Sequence, residues 1–152
     1  MRRYVAWRAV PLALLACLLV SGCGGGGIGA LVVTAKGLYG VWKLYQLFND
    51  GFPAPVLIEG FYTFGEDSTY LVEYRDEEGS VLATESGTWR VRDSALVLRV
   101  EQSDIHPETV GTTVRLPAEF ADESGETLSL TRPEGAVTQE QVYKRQAPEV
   151  AG

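Results

Sequence analysis

The sequence is poor in the side chains that build metal centres and nucleophilic active sites, with two cysteines and one histidine in 152 residues. A catalytic triad or a zinc site would therefore depend on His106. It lies between Asp104 and Glu108 in a polar loop, so it is either a metal ligand or general base alongside these carboxylates or a solvated loop residue. We expect the solvated residue, because one imidazole with flexible carboxylates makes a poor specific metal site. The sequence thus predicts no metal site, no cofactor and no enzyme.

Positive charge is also scarce. Lys and Arg number 13 against 20 Asp and Glu, which gives a net charge of −7. A chain with this balance has no basic surface for nucleic acid and is repelled by anionic lipid headgroups. A glycine-rich phosphate loop is absent too, since the glycines at residues 24–27 precede the predicted fold. We expect no nucleic-acid partner.

A hydrophobic run long enough to cross a membrane is missing as well. The apolar stretch of residues 9–20 follows three arginines and falls short of the roughly 20 residues that span a bilayer. This is the layout of a secretory signal. It ends in Val20-Ser21-Gly22-Cys23, which resembles the lipobox of bacterial lipoproteins, where an aliphatic residue and two small residues precede an acylated cysteine. The resemblance implies that Cys23 carries the lipid and that residues 1–22 are a signal peptide absent from the mature protein.

The alternative for Cys23 is an ordinary small residue after a conventional signal, because residues 20–22 also suit conventional cleavage. Acylation is favoured because Cys23 would otherwise be a lone exposed thiol in an oxidising compartment. With Cys17 in the signal and Cys23 acylated, the mature chain can form neither a disulfide nor a thiolate metal site. Its fold must therefore depend on an apolar core.

The lipid also determines where we expect the protein to reside. Loss of the three arginines in residues 1–22 lowers the Lys and Arg count from 13 to 10 against 20 acidic residues, so the net charge changes from −7 to −10. So acidic a domain needs its acyl chains, at about 0.8 kcal/mol per buried methylene, to stay at a membrane. Gly24 stands where an aspartate would favour the inner membrane in the enteric sorting pattern. By that resemblance we expect a protein of the bacterial cell envelope, anchored by lipid in the outer membrane and facing the periplasm or the cell surface.

Turn-forming residues punctuate the chain after residue 40. Between them, runs rich in β-branched and aromatic residues predict eight strands at 40–48, 56–64, 68–75, 81–91, 95–101, 112–118, 126–132 and 140–146. This spacing indicates an all-β meander that closes into a barrel or a sandwich. Residues 23–37 are predicted as a lipidated cysteine and flexible tether, in which residues 28–37 also allow a short strand or a helical turn. We place the barrel at residues 38–146 and a disordered tail at residues 147–152.

Alternation within these runs predicts which side chains face inward. The predicted inward residues are Val56, Ile58, Tyr62, Phe64, Tyr70, Val72, Tyr74, Val81, Ala83, Trp89, Val91, Leu96, Leu98, Val100, Val114, Leu116, Leu128 and Leu130. A competing pattern exists around the first strand, where Leu38, Val41, Trp42, Tyr45 and Phe48 also fit helical spacing. We favour the strand because of its glycines and aromatic residues.

Four short segments carry a resemblance to a known family. They are Gly40-Val41-Trp42, Phe61-Tyr62-Thr63-Phe64, Ser86-Gly87-Thr88-Trp89-Arg90-Val91 and Val142-Tyr143-Lys144-Arg145. In this order and spacing they resemble the lipocalin-like domains of bacterial lipoproteins, over residues 38–146. The resemblance implies a small antiparallel up-and-down barrel of eight strands. It also implies that Trp42 lies at the closed end beneath Arg145, a cation on an aromatic face worth about 0.5–2 kcal/mol.

The interior of an eight-stranded barrel is either filled by side chains or just wide enough for one small ligand. The inward Tyr62, Tyr70, Tyr74 and Trp89 would accordingly orient a ligand or fill the core. We expect a protein that binds a small apolar or amphipathic molecule without catalysis. The alternative is an envelope protein-interaction or structural module with a filled core. Phe52, in the long first connection, is a candidate lid or partner contact.

Overall fold

The computed structural model describes residues 31–147, except for the side chain of Glu134. The predicted signal peptide, Cys23 and the glycine run lie outside the described residues, as do residues 148–152 of the predicted tail. In chain order the elements are β1 (Leu31–Val32), α1 (Ala35–Leu38), β2 (Gly40–Asn49), β3 (Phe52–Ala54), β4 (Glu59–Phe64), β5 (Thr69–Arg75), β6 (Val81–Arg92), β7 (Ala95–Ser103), a 3-10 turn (Pro107–Thr109), β8 (Thr113–Phe120), β9 (Thr127–Glu134) and β10 (Val137–Arg145).

Eight of the strands close into an antiparallel barrel. These are β2 and β4 to β10: each pairs with the next barrel strand along the chain, and the last, β10, pairs with the first, β2. Strands that are neighbours in sequence are thus neighbours in space, as short connections require. The predicted all-β, eight-stranded up-and-down barrel is confirmed, and the helical alternative for the first strand is wrong.

Most predicted strand bounds lie within two residues of the structure. The last strand begins at Val137, three residues before its predicted start. The second run differs most. Predicted at 56–64, it begins only at Glu59, whereas Phe52–Ala54 pairs with β2 as the short strand β3. Pro55 lacks the N–H that a continuous ladder needs, so the chain loops between the two strands. Val56 and Ile58, which were predicted to face inward, are therefore exposed.

The chain packs on the barrel earlier than the sequence predicts. β1 pairs with the end of β8, and α1 follows with Thr34 as its N-cap. Val33 and Leu38 are both buried in the core. The barrel was predicted to begin at residue 38, whereas the chain already packs on it from residue 31, the first described residue. Of the alternatives for residues 28–37, a strand and a helical turn, both occur. Two buried apolar side chains hold this segment on the barrel.

Three β-bulges interrupt the ladders, between Tyr74 and Arg75, Ser86 and Gly87, and Val142 and Tyr143. The first leaves Leu82 unpaired on β6. An extra residue reverses the alternation of a strand, so Val81, predicted to face inward, is exposed. At the second bulge, a Cβ on Gly87 would lie 2.0 Å from the Arg99 carbonyl oxygen, and the close approach requires glycine.

The barrel has two distinct ends because consecutive antiparallel strands turn at opposite ends. The lower end carries α1 and the turns at residues 65–68, 93–94 and 121–126, and the upper end carries the connections at residues 50–58, 76–80, 104–112 and 135–136. One buried cluster fills the space between them. Its members are Val33, Leu38, Trp42, Tyr62, Phe64, Tyr70, Val72, Trp89, Leu96, Leu98, Leu116, Ala118, Phe120, Leu128, Leu130 and Tyr143.

Candidate functional site

Trp42 and α1 close the lower end of the barrel. Trp42 is 0% exposed, and its indole N–H donates to the Leu38 carbonyl oxygen at 2.8 Å. Phe120 stacks on the indole, with ring centroids 6.1 Å apart. The Cζ of Arg145 lies 4.2 Å from the centroid of the same ring. A cation at this distance is attracted by the electron-rich face of the indole, so the structure places Trp42 and Arg145 together at the closed end.

Arg145 makes four polar contacts through its guanidinium. Nη1 donates to the Tyr39 carbonyl oxygen at 2.7 Å, and Nη2 donates to the carbonyl oxygens of Gly37 and Gly125. Nε lies 3.2 Å from a carboxylate oxygen of Glu126. Carbonyls at a helix end lack partners within the helix, so Arg145 fastens α1 over the lower end. This arrangement is structural.

Trp89, predicted as a ligand contact, also belongs to the lower end. Its ring makes edge contacts with Tyr39 and Phe64, at centroid distances of 5.8 and 5.1 Å. Its indole N–H donates to the Gly65 carbonyl oxygen at 3.2 Å. The polar atom of Trp89 is thus engaged by a lower turn, whereas the hydroxyl groups of Tyr62 and Tyr70 reach partners at the upper end.

Aliphatic side chains fill the middle of the barrel. Leu96, Leu98, Leu116, Leu128 and Leu130 are each 0% exposed. A void that could hold a water molecule would leave part of its lining exposed. Among the described residues, this layer therefore has no room for an apolar ligand.

A buried polar cluster lies above the aliphatic layer. Strands β4, β5, β6, β9 and β10 all contribute to it. We call it the upper polar cluster, and its members are Tyr62, Tyr70, Glu85, Arg132, Gln141 and Tyr143. Glu85 is 1% exposed and Arg132 is 9% exposed. Burial of charge at this depth is costly unless the charges are paired and hydrogen-bonded, so the partners of each decide what the cluster does.

Glu85 is the satisfied charge of the pair. Its Oε1 accepts a hydrogen bond from the Tyr70 hydroxyl at 3.2 Å, and its Oε2 accepts one from the Ser103 hydroxyl at 2.9 Å. Arg132 Nη2 lies 3.9 Å from Oε1, which is an ion pair too long for a hydrogen bond. Each oxygen of the Glu85 carboxylate thus has a donor that does not depend on Arg132.

Arg132 is incompletely satisfied. Its Nη2 donates to the Tyr62 hydroxyl at the long distance of 3.4 Å. Within residues 31–147, its buried Nε has no hydrogen-bond partner. A guanidinium carries five N–H donors in a planar fork that matches a carboxylate or a phosphate. Arg132 therefore offers one unused donor, Nε–H, inside the barrel.

The remaining members extend the cluster towards the upper end. The Tyr143 hydroxyl donates to Gln141 Oε1 at 2.9 Å, and Gln141 Nε2 donates to Gln139 Oε1 at 2.6 Å. The rings of Tyr62 and Tyr143 meet edge to face, with centroids 5.3 Å apart. Gln139 is half-buried near the start of β10. Polar side chains thus continue from the cluster to the upper rim.

Burial fixes the protonation of the tyrosines. It raises the pKa of Tyr62, Tyr70 and Tyr143 above the ordinary value for tyrosine, and nearby Glu85 raises the pKa of Tyr62 and Tyr70 further. Burial opposes the charge on Arg132, but interactions with Tyr62 and Glu85 outweigh it and raise the pKa of the guanidinium. The three hydroxyls are therefore neutral and Arg132 is charged at physiological pH.

Tyr74 lies at the edge of the upper polar cluster. It is half-buried, and its ring packs on Gly60, where an added Cβ would come within 3.0 Å of the ring. Tyr74 lies close enough to Tyr62, Arg132 and Tyr143 to raise the pKa of each. Of the four predicted ligand contacts, the structure thus brings Tyr62 and Tyr70 together with Arg132, leaves Tyr74 beside them and separates Trp89.

Reasoning from the sequence missed Glu85 and Arg132. Alternation could have found both, because Glu85 is in phase with Trp89 and Arg132 is in phase with Leu128 and Leu130. The predicted inward set holds only aliphatic and aromatic residues, since charged side chains are almost never fully buried unless paired. The two charges lie on strands β6 and β9, and spacing along the chain cannot show that they meet.

His106 lies in the connection after β7, between Asp104 and Glu108. Its Nδ1 lies 3.5 Å from Glu108, which is largely exposed. Asp104 instead accepts a hydrogen bond from the Thr84 hydroxyl at 3.0 Å. Within the described part of the chain, no group of three or more His, Cys, Asp or Glu side chains could hold a metal ion.

An open groove of about 1040 Å³ lies on the outer face of the barrel along β2, β4 and β5. Val41 and Phe61 contribute apolar side chains to it. Arg75 lies over the Phe61 ring at 4.9 Å and pairs with Glu73 at 2.9 Å. The groove therefore combines an aromatic surface with paired charges, and it is separate from the upper polar cluster.

Comparisons with known proteins do not assign a family to the chain. No protein-family model matches it, and no curated protein matches it in sequence. Between residues 31 and 147, no helix is long and apolar enough to cross a membrane. The function must therefore be inferred from the geometry of the site.

Proposed function

We propose that this protein is a lipid-anchored, non-catalytic protein of the bacterial cell envelope whose barrel binds a small amphipathic anion through Arg132. The observation that carries the proposal is the buried guanidinium with an unused donor. A buried donor without a partner costs about 1–3 kcal/mol. A ligand carboxylate, sulfate or phosphate that accepts from Nε and one Nη would remove this penalty and form the bidentate pair that guanidinium groups favour.

The apolar part of the ligand would lie at the upper rim, because the middle of the barrel is filled. Phe52 is 75% exposed and Leu57 is 81% exposed in the connection between β2 and β4, and Val56, Ile58 and Leu82 are exposed as well. Covering apolar surface contributes roughly 25 cal/mol per Å². The inward aromatic residues then belong to the core. The exposed side chains of the upper rim make the apolar contacts with the ligand that were considered for the inward aromatic residues.

The lipoprotein character and the resemblance to lipocalin-like domains are part of the same proposal. The closed eight-stranded barrel and the Arg145 contact with Trp42 support the resemblance. The described chain joins the barrel at the lower end, where Leu31 pairs with Phe120. If Cys23 is the anchor, residues 24–30 span at most roughly 25 Å, so the lower end would face the membrane and the upper end would face away from it.

Native mass spectrometry of the protein purified under mild conditions from a bacterial envelope tests ligand binding. We expect a small adduct that disappears on denaturation. Arg132→Gln should lose the adduct, while the matched variant Arg99→Gln, which removes an exposed guanidinium, should keep it. An adduct that survives Arg132→Gln would contradict binding at the upper polar cluster.

Fractionation tests the anchor separately. Cys23→Ser removes the proposed acylation site, and we expect this variant in the soluble fraction while the wild type sediments with membranes. A variant that still sediments would refute anchoring through Cys23.

The second candidate function is an envelope protein-interaction module. The filled middle layer and the outer groove over Phe61 favour it. A photo-crosslinker at Thr63, which lines the groove, would then capture one defined envelope protein, and the same group at Arg99 on another face would not. Cells would also tolerate Arg132→Gln, provided that the variant folds.

A further inference from the structure

Among the described side chains, the charges of the upper polar cluster balance before any ligand binds. Arg132 contributes one positive charge and Glu85 one negative charge, with 3.9 Å between Nη2 and Oε1. An anion bound to Arg132 would leave a net negative charge among side chains that are 1–9% exposed. An uncompensated charge at such a depth is strongly unfavourable. Binding therefore requires either that Glu85 leaves or that its charge is neutralised.

Departure of Glu85 is opposed by its own hydrogen bonds. Tyr70 and Ser103 each donate to one of its oxygens, at 3.2 and 2.9 Å. Neither bond involves Arg132, so both hold the carboxyl group in place when a ligand engages the guanidinium. A proton on Glu85 would remove the excess charge without moving the side chain.

The groups that face Glu85 leave it as the acceptor for that proton. Tyr62 from β4, Tyr70 from β5 and Tyr143 from β10 are already protonated, because burial raises the pKa of each. Tyr74 from β5 lies beside them. Arg132 from β9 is already charged.

The connection after β7 adds two further titratable groups on the side of Ser103. Asp104 accepts from the Thr84 hydroxyl at 3.0 Å. The His106 ring lies 3.5 Å from Glu108, and the His106 backbone N–H donates to Ser103 Oγ at 2.8 Å. Among the described residues, Glu85 is thus the carboxylate that shares the buried space with Arg132.

We infer that an amphipathic anion binds at Arg132 together with one proton, which Glu85 takes up. The inference rests on the proposed function and extends it. The ligand is then an amphipathic acid that the protein binds as an anion together with a proton, and the affinity for this ligand depends on pH. Binding then tightens as the pH falls. With one proton taken up per anion, the Kd rises about tenfold for each unit of increase in pH.

Calorimetry of the full chain carrying Cys23→Ser, which needs no detergent for an acyl group, measures the proton directly. Octyl sulfate is the first probe because its head group has no proton to exchange between acidic and neutral pH. Titration in two buffers of different ionisation enthalpy gives the number of protons bound with the probe. We expect one proton per octyl sulfate, and the same number with octanoate.

Variants assign the proton to a residue. Glu85→Gln should bind octyl sulfate with no proton uptake and with a Kd independent of pH, whereas Glu119→Gln, which removes an exposed carboxylate, should behave as the wild type. If Glu85→Gln does not fold, the comparison of the two probes on the wild type remains decisive. Proton uptake with octanoate but not with octyl sulfate would place the proton on the ligand and overturn the inference.

The outcomes also separate this inference from the proposed function. Binding of both probes without proton uptake would overturn the role of Glu85 and leave anion binding at Arg132 intact. Failure of both probes to bind at any pH would overturn the proposed function itself.

Discussion

Each end of the barrel holds a buried or half-buried arginine, and the two arginines are used in opposite ways. Arg145 at the lower end lies 4.2 Å from the centroid of Trp42, donates to three backbone carbonyls and pairs with Glu126. Arg132 at the upper end makes one hydrogen bond of 3.4 Å and one ion pair of 3.9 Å. Within the described residues, its Nε has no acceptor.

The two arginines therefore differ in role: Arg145 supports stability and Arg132 supports binding. The guanidinium of Arg145 already contacts three carbonyl oxygens and one carboxylate, so Arg145 fits a role in closing the fold. An unsaturated buried guanidinium lowers stability, because the desolvation of its free donor is not repaid. Loss of the lower-end contacts should therefore lower the free energy of unfolding, whereas loss of both members of the upper charge pair should cost little stability and abolish binding.

The largest expected effect is at the lower end. Trp42→Ala should lower the free energy of unfolding by about 3–5 kcal/mol, because it empties a fully buried site and removes the ring beneath Arg145. Urea denaturation measures the loss. Phe52→Ala, at an exposed position, should change the value by no more than about 0.5 kcal/mol. A loss below about 1 kcal/mol for Trp42→Ala would show that the closed end does not depend on the indole.

Removal of one member of the upper charge pair should lower the free energy of unfolding more than removal of both members. Arg132→Met alone leaves Glu85 buried without its counter-ion, and we expect a loss of about 3 kcal/mol, at the low end for buried pairs because of the 3.9 Å separation. Addition of Glu85→Leu should restore the free energy of unfolding to within about 1 kcal/mol of the wild type. Urea denaturation of the single and double variants provides the test. A double variant as unstable as the single one would mean that the pair stabilises the fold.

A milder change at the lower end probes the donors of Arg145. Lysine keeps the positive charge near Trp42 but cannot donate to the carbonyls of Gly37 and Tyr39 through a planar fork. We expect Arg145→Lys to lower the free energy of unfolding by about 1–2 kcal/mol. Amide hydrogen exchange should show faster exchange in α1 and little change in the upper strands. Equal acceleration at both ends would contradict the division between them.

The smallest effect concerns pH and the lower turn after β4. Asp67 accepts hydrogen bonds from the N–H and the hydroxyl of Thr69 at 3.0 and 2.6 Å, which lower its pKa below the ordinary 3.8. A lowered folded pKa contributes stability above the unfolded value, and that contribution is lost as the pH falls through the folded pKa. The stability gap between the wild type and Asp67→Ala should therefore be present at neutral pH and close in acid. Urea midpoints against pH measure it, with Glu66→Ala as the control, and a gap that widens in acid would reverse the assignment.

The barrel was predictable from the sequence because short-range patterns determine it. Turn residues delimited seven of the strands closely, and the pairing of each strand with the next follows from short connections. The errors lie where local exceptions break the alternation. Pro55 interrupts the second run, and the unpaired Leu82 reverses the side that Val81 faces.

The upper polar cluster was not predictable in the same way. Tyr62 and Tyr70 were expected to face inward, yet the charge pair beside them joins Glu85 and Arg132 from strands that are not adjacent in the barrel. Alternation can show that each charge faces inward, but only the closed barrel brings them within 3.9 Å. A buried charge is tolerated only with a partner. Burial of Glu85 or Arg132 could therefore be predicted only if its partner was already known.

The most direct test of the account is the side-chain NMR signal of the Arg132 Nε–H during titration with octanoate. Its donor has no acceptor among the described residues, so a carboxylate that binds the guanidinium should shift this signal strongly. The Nε–H signals of Arg145, already paired with Glu126, and of exposed Arg99 should stay in place. We predict that octanoate shifts the Arg132 signal alone and that decanol, used in place of octanoate, does not shift it. If the Arg132 signal does not move while the ligand is bound elsewhere, the upper polar cluster is not the binding site.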